Sequence, residues 1–310
     1  MTTLRLAHSP DSDDLVMWWP LVGMRGPDGE PVAGELGTPR VDTRGFGFEL
    51  VARDVEELNK IVVEGRDTAY HVTAISAAAY PAVRDRWRIT RCGASFGEGY
   101  GPRVVVREDS RVRGLEDLFG TRVAVPGLNT SAYLALSLAL RRARGHGGAE
   151  GRSGRGFEGE AMLFSNVPGA VLDGRFDAGV LIHEAQLTFG ELGLRKVLDL
   201  GEWWTGATGL PLPLGLNVIR RDVDPLVAAV LSDSVRYAAT HRDECFEFLR
   251  LHSAGRPEWN DRALVDEYLD KYVSGLTVDM GGAGAGALER FLGDGAAAGF
   301  CGEAGEVDVV

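Results

Sequence analysis

Phe176-Asp177-Ala178-Gly179-Val180-Leu181-Ile182-His183-Glu184 is an apolar run that ends abruptly in two titratable side chains. Before it, residues 168–173 read as a short helix, and Gly174 as its left-handed stop. Residues 176–182 show no alternation and carry small side chains at Ala178 and Gly179, the pattern of a buried parallel strand. Open α/β sheets bind ligands beyond the carboxyl ends of such strands. Histidine has the one side chain whose unperturbed pKa lets it exchange a proton near neutral pH. His183 is therefore the leading candidate for a catalytic base. The competing reading is a structural histidine, hydrogen-bonded at the end of its strand.

The rest of the chain repeats the strand–turn–helix pattern. Residues 4–8 predict a strand, the polar turn Ser9-Pro10-Asp11-Ser12-Asp13-Asp14 follows, and residues 15–19 open a helix. Residues 24–46 are rich in glycine and proline and read as a long connection. A strand at 48–51 leads to a helix capped by Asp54, with Glu57 completing a capping box and Gly65 stopping it. A strand over 68–75 ends at Ser76, which opens a small-residue helix over 77–80. A second half begins with the β-forming Val104-Val105-Val106, a short helix over 115–118 and a strand over 121–125. The turn Pro126-Gly127-Leu128-Asn129-Thr130-Ser131 then feeds a helix over 132–142. Residues 145–159 read as a glycine-rich insertion without a folded element. Beyond the strands at 162–164 and 196–200, the last third is helical, over 225–240, 243–251, 261–273 and 287–292.

This alternation predicts βαβ units in two parallel sheets. Val104-Val105-Val106 and residues 216–219 are the crossovers between them. The expected architecture is α/β, with two lobes flanking a central cleft: residues 1–103 plus 217–310 form the first, and 104–216 the second. Gly97-Glu98-Gly99-Tyr100-Gly101-Pro102 and Gly209-Leu210-Pro211-Leu212-Pro213-Leu214-Gly215 read as paired hinges. Trp203-Trp204 is either core packing or a wall for a flat ligand.

Composition narrows the function. The formal net charge of −12 argues against a broad nucleic-acid-binding surface, which needs clustered Lys and Arg. No apolar stretch is long enough to span a membrane, and the first residues lack the basic and apolar regions of a secretory leader. Cys92, Cys245 and Cys301 lack zinc-binding spacing and fit reduced thiols. The expected setting is the cytoplasm. Asp11, Asp13 and Asp14 lack EF-hand spacing and an accompanying histidine, so no metal is expected.

Several turns should meet His183 at the cleft: Ser9 to Asp14, the strand end Ala74-Ile75-Ser76, and the helix start Thr130-Ser131. Helix starts offer unpaired N–H groups and the positive end of the helix dipole to a carboxylate or hydroxyl-rich ligand. The alternative for each is simple N-capping.

Taken in order, Ser9-Pro10, Asp54-Val55-Glu56-Glu57-Leu58-Asn59, Tyr100-Gly101-Pro102, Val123-Ala124-Val125-Pro126-Gly127, Ile182-His183-Glu184 and the Gly209–Gly215 run resemble the 1,4-dihydroxy-6-naphthoate synthase family. The resemblance extends to Tyr272-Val273-Ser274. It implies a fold like the type II periplasmic binding proteins, used as a cytoplasmic enzyme of the futalosine route to menaquinone. The implied reaction is cleavage of cyclic dehypoxanthinyl futalosine, a small-molecule carboxylate, to 1,4-dihydroxy-6-naphthoate and dihydroxyacetone, with no cofactor. By motif, the family's base falls on His183 and its substrate contacts on Ala74, Ile75, Ser76, Thr130 and Ser131, with Ser9 and Asp14 beside them. The chain departs from the family's usual Ser-Pro-Cys-Pro-Asn-Asp at the first turn, and Ala74 stands where a lysine is common. Two other readings fit the same architecture: a non-catalytic solute-binding or ligand-sensing protein, and a sister enzyme of the chorismate dehydratase type.

Overall fold

The computed structural model describes residues 2–65, 70–145, 156–183 and 185–310. Its strands, in chain order, are β1 (Thr3–His8), β2 (Gly47–Ala52), β3 (Val72–Ser76), β4 (Trp87–Ile89), β5 (Ser95–Gly97), β6 (Arg103–Arg107), β7 (Arg122–Val125), β8 (Glu158–Ala161), β9 (Ala178–Leu181), β10 (Leu194–Asp199) and β11 (Leu212–Arg220). They form two sheets. One has the order β2-β1-β3-β11-β4, with β5 also paired to β11, and the other β10-β6-β9-β7-β8.

Both sheets are mixed, which corrects the expectation of two parallel ones. β1, β2 and β3 run parallel, as do β7, β8 and β9. β11 is antiparallel to β3, β4 and β5, and β6 to β9 and β10. The reason lies in the chain path. β6 and β11 enter their sheets directly from the opposite sheet, so they start at the cleft, where the parallel strands end. β9 is buried throughout but is parallel to one neighbour only. All of β11 pairs within the first sheet, beginning with Leu212 against Gly97.

Close packing explains the small residues in β9. A side chain at Gly179 would meet Val167 and Val171 of the helix Val167–Leu172, which lies directly on the sheet. Trp204 is 1% exposed and packs edge-on against Phe291, so core packing is its role. The run 209–215 is less a hinge than part of a strand, since Leu212, Pro213 and Gly215 pair with β5. Residues 158–161 form β8, although the sequence placed 158 and 159 in the insertion; residues 146–155 lie outside the described ones.

The helices of the last third pack on the first sheet, and the carboxyl terminus is tied there by Ile89 and Val310. The final helix runs over Gly281–Ala297, far longer than expected. Its early glycines hide it from propensity, and tertiary contact overrides them. At Gly284 a side chain would press on Met280 and Phe96.

One buried carboxylate joins the lobes. Asp54 caps the helix Val55–Val63 by accepting from the N–H groups of Glu56 and Glu57, while the Glu57 side chain turns to Arg53. Glu56 itself is 3% exposed. Its carboxylate accepts from the N–H groups of Leu128 and Asn129 in the second lobe, at 3.2 and 3.3 Å, and from Asn129 Nδ2 at 3.0 Å. Gly127 permits this approach, because a side chain there would run into the Glu56 carboxylate. Glu56→Ala strands these donors and should cost about 1–3 kcal/mol, read as a lower urea midpoint. A loss under ~0.5 kcal/mol would show that water takes the place of the carboxylate.

Candidate active site

The carboxyl ends of β1, β3, β7 and β9 and the amino ends of β6 and β11 converge on a cleft of about 730 Å³, partly open to solvent. It brings together every residue singled out in the sequence: Ser9, Asp14, Ala74, Ile75, Ser76, Thr130, Ser131 and His183. Glu184 lies outside the described residues. The cleft also takes in Asp11 and Asp13, together with Gln186, Asn217, Tyr268 and Tyr272, which sequence reasoning missed. Asn217 had left a signal, a lone polar side chain in the apolar run 216–219. The tyrosines arrive from a distant helix: Tyr268 left no signal, and Tyr272 entered only through the resemblance at Tyr272-Val273-Ser274.

His183 follows β9 with a backbone φ of +56°. That left-handed conformation is uncommon outside glycine, though histidine tolerates it better than most residues. Such strain, of order 1–3 kcal/mol, persists only where the surroundings impose it. Here Gln186 does so. Its backbone N–H donates to the His183 carbonyl at 3.1 Å. With its carboxamide oxygen turned toward the available donors, the side chain accepts from the His183 N–H and the Tyr272 hydroxyl, both at 3.2 Å, and its amide donates to the Gly101 carbonyl. The imidazole stands edge-on to Phe164, with centroids 4.7 Å apart. Its Nδ1 lies 2.5 Å from Asp11 Oδ2.

The first turn is a buried cluster of carboxyl groups. Ser9 Oγ donates to Asp11 Oδ2 at 2.9 Å, and the Ser9 N–H to Asp14 Oδ2 at 2.8 Å. Trp18 Nε1 donates to Asp14, and the Tyr268 hydroxyl to Asp13 at 3.1 Å. Burial, reinforced by the negative charge of Asp11, pushes the Asp14 carboxyl up to about 8. Asp11 is held below the usual carboxylate range: burial opposes this, but the charge and hydrogen bond of His183 outweigh it. His8 is pushed down by burial and kept neutral. Among the described residues no group of three or more His, Cys, Asp or Glu side chains is arranged to hold a metal. Among the described residues no Lys or Arg lines the cleft.

The hydroxyls divide their work. Thr130 Oγ1 donates to the Gly127 carbonyl and accepts from the Tyr133 N–H, which is capping. Ser131 Oγ donates to the Leu214 carbonyl at 2.6 Å and accepts from the Ala78 N–H, a bond between the lobes. Ser76 Oγ accepts from Asn59 Nδ2 at 3.0 Å, and this leaves its own proton to donate. What Thr130 and Ser131 present to the cleft is the first turn of the helix Ser131–Gly145. Asn217 donates to the Gly93 carbonyl, and its buried Oδ1 has no hydrogen-bond partner.

The sequence of this cleft has relatives. A family model described as menaquinone biosynthesis matches residues 4–297. The chain belongs to that family. A 1,4-dihydroxy-6-naphthoate synthase of Thermus thermophilus is 34% identical over 304 residues, covering 97% of this chain and 96% of the relative. One of Streptomyces coelicolor is 32% identical over 298 residues, covering 96% and 94%. The crystal structure of protein AF1704 from Archaeoglobus fulgidus superposes with a TM-score of 0.76 at 36% identity, covering 96% of this chain and 98% of that one. The alkanesulfonate-binding protein SsuA of Xanthomonas axonopodis reaches 0.66 at 16% identity, covering 100% and 98%, a likeness of fold alone. The menaquinone biosynthesis chain thus has the two-lobed α/β fold of the periplasmic binding proteins. No helix among its described residues is long and apolar enough to cross a membrane.

Asp14 makes the stability of this family member depend on pH. A carboxyl raised in the fold contributes stability that is complete below about pH 4 and is lost as the pH rises toward about 8. Asp14→Asn removes that slope while keeping an acceptor for the Ser9 N–H. The melting temperature of the wild type relative to Asp14→Asn should therefore fall between pH 5 and 8. Parallel curves would mean that Asp14 is ionised in the fold throughout.

Proposed function

We propose that the protein is a 1,4-dihydroxy-6-naphthoate synthase of the futalosine route to menaquinone, a carbon–carbon lyase with His183 as its general base. It cleaves cyclic dehypoxanthinyl futalosine to 1,4-dihydroxy-6-naphthoate and dihydroxyacetone. The observation that carries this reading is the strained, partly buried His183 at the head of the cleft, in a chain whose named relatives match it from end to end. A cytoplasmic setting accompanies the reading, because those relatives are biosynthetic enzymes.

Release of a small ketone from a carbocycle requires removal of a proton and stabilisation of the enolate or alkoxide that forms. His183 takes the proton. The substrate carboxylate lies against the first turn of the helix Ser131–Gly145, where N–H groups and the helix dipole favour an anion. Ser76 Oγ donates to the oxygen on which charge develops. Ala74, Ile75 and the β11 backbone form the floor, and Ser9 and Asp14 hold the first turn in shape. With the lobes closed, the reacting carbon is kept beside the base and away from bulk water.

The test is product formation from cyclic dehypoxanthinyl futalosine by the purified protein, followed by chromatography, with chorismate as the competing substrate. We expect dihydroxynaphthoate from the first and no dehydration of the second. His183→Ala should lower kcat by about 10²–10⁴-fold. Turnover of chorismate alone would replace the lyase assignment. Full activity in His183→Ala would remove the base and leave the lyase standing.

A further inference from the structure

We infer that Asp11 is the positioning residue for the histidine base, reaching across the cleft from the first lobe to hold the imidazole of the second in its reactive tautomer. This rests on the role proposed for His183. Asp11 stands on the turn after β1 and His183 on the turn after β9, so their 2.5 Å contact joins groups carried by different sheets. A neutral imidazole has one N–H. The carboxylate accepts a hydrogen bond from Nδ1–H, and the lone pair then resides on Nε2, the nitrogen that can accept a proton from substrate.

Everything around the pair points the same way. Ser9 Oγ orients the Asp11 oxygen that meets the ring, Phe164 packs on the ring edge, and Gln186 anchors the His183 backbone. The second oxygen of Asp11 is buried and has no hydrogen-bond partner. An ion pair kept only for stability would satisfy both oxygens, because a buried unpaired acceptor costs free energy.

Among the described residues, the titratable groups facing the pair are His8, Asp13 and Asp14 on the first turn and Tyr268 and Tyr272 from the carboxyl-terminal helices, and no Lys or Arg lines the cleft. Burial pushes His8 down and Asp14 up, toward their neutral forms, while Asp11 is held in its charged form by the imidazole it touches.

Asp11→Asn tests the idea. Its amide can donate to Nδ1 and select the other tautomer, so kcat should fall by about 10²–10⁴-fold while KM changes less than about threefold. Loss of the negative charge lowers the imidazole pKa, so the acid limb of kcat/KM should move to lower pH. Asp11→Glu should recover part of kcat. In the wild-type protein, ¹⁵N resonances of the imidazole should show the proton on Nδ1 at pH 8. That measurement decides the matter even if the variants fail to fold. Wild-type kcat in Asp11→Asn, an unmoved acid limb, or a proton on Nε2 each overturns the inference. Failure of the base itself has a different signature, activity in His183→Ala.

Discussion

The Glu56 carboxylate ties the turn that opens the second lobe's longest helix to the first lobe. Only two short segments, residues 98–102 and 200–211, connect the sheets covalently, so the shape of the cleft depends on contacts such as this one. The choice of donors matters. Glu56 neutralises the N–H groups of Leu128 and Asn129, just ahead of the helix, and leaves the first helical turn facing the cleft. One helix end therefore serves two purposes, with its outer amides spent on holding the lobes and its inner ones available to a ligand. An apolar core continues behind it, where Ala132, Leu134, Ala135 and Leu138 pack with Trp204, Leu288 and Phe291. The lobes are fastened along that side, and opening would have to occur at the other, where Asp11 meets His183.

Much of this was legible in the chain, for identifiable reasons. The cleft residues lie at strand ends marked by an abrupt change from apolar to polar, as at Ile182-His183 and Ile75-Ser76, and such changes are local. Strand direction was not local. Val104-Val105-Val106 reads as a strand whichever way it runs, and only its arrival from the other sheet makes β6 antiparallel to β9. The helix Gly281–Ala297 was under-read because glycine propensity is a local quantity, whereas Gly284 is required by the nearness of Phe96. Ser131 and Thr130 were placed correctly in the cleft, yet the partners of their hydroxyls, Leu214 and Gly127, could not be known without coordinates. The approach of Asp11 to His183 joins positions far apart in sequence, and nothing in either neighbourhood announces it.

The resemblance to solute-binding proteins raises the question of what separates a clamp from an enzyme on the same fold. A clamp needs complementary contacts and a closable cleft. Catalysis adds a group whose protonation state is prepared before substrate arrives. The first turn supplies the difference. Three carboxyl groups in one buried turn cannot all remain ionised, since burial and mutual repulsion oppose it. Asp14 yields and takes the proton, whereas Asp11 keeps its charge because His183 and Ser9 both donate to it. Asp11 thus keeps its charge beside the imidazole.

That asymmetry also orients a ligand. The carboxylate substrate of the proposed reaction would be repelled by Asp11 and would find no Lys or Arg among the described lining residues to attract it. The start of the helix Ser131–Gly145 also lines the cleft, and its dipole favours a carboxylate there. A molecule with a carboxylate at one end and hydroxyls at the other can satisfy both ends in a single direction. Its hydroxyl protons then meet acceptors on the acidic side, where the buried Asp11 Oδ1 has none of its own. In that orientation the hydroxylated end, the part that must leave as dihydroxyacetone in the proposed reaction, lies beside His183. In the proposed reaction the acidic turn, which on its face disfavours a carboxylate ligand, would keep such a ligand from binding backwards.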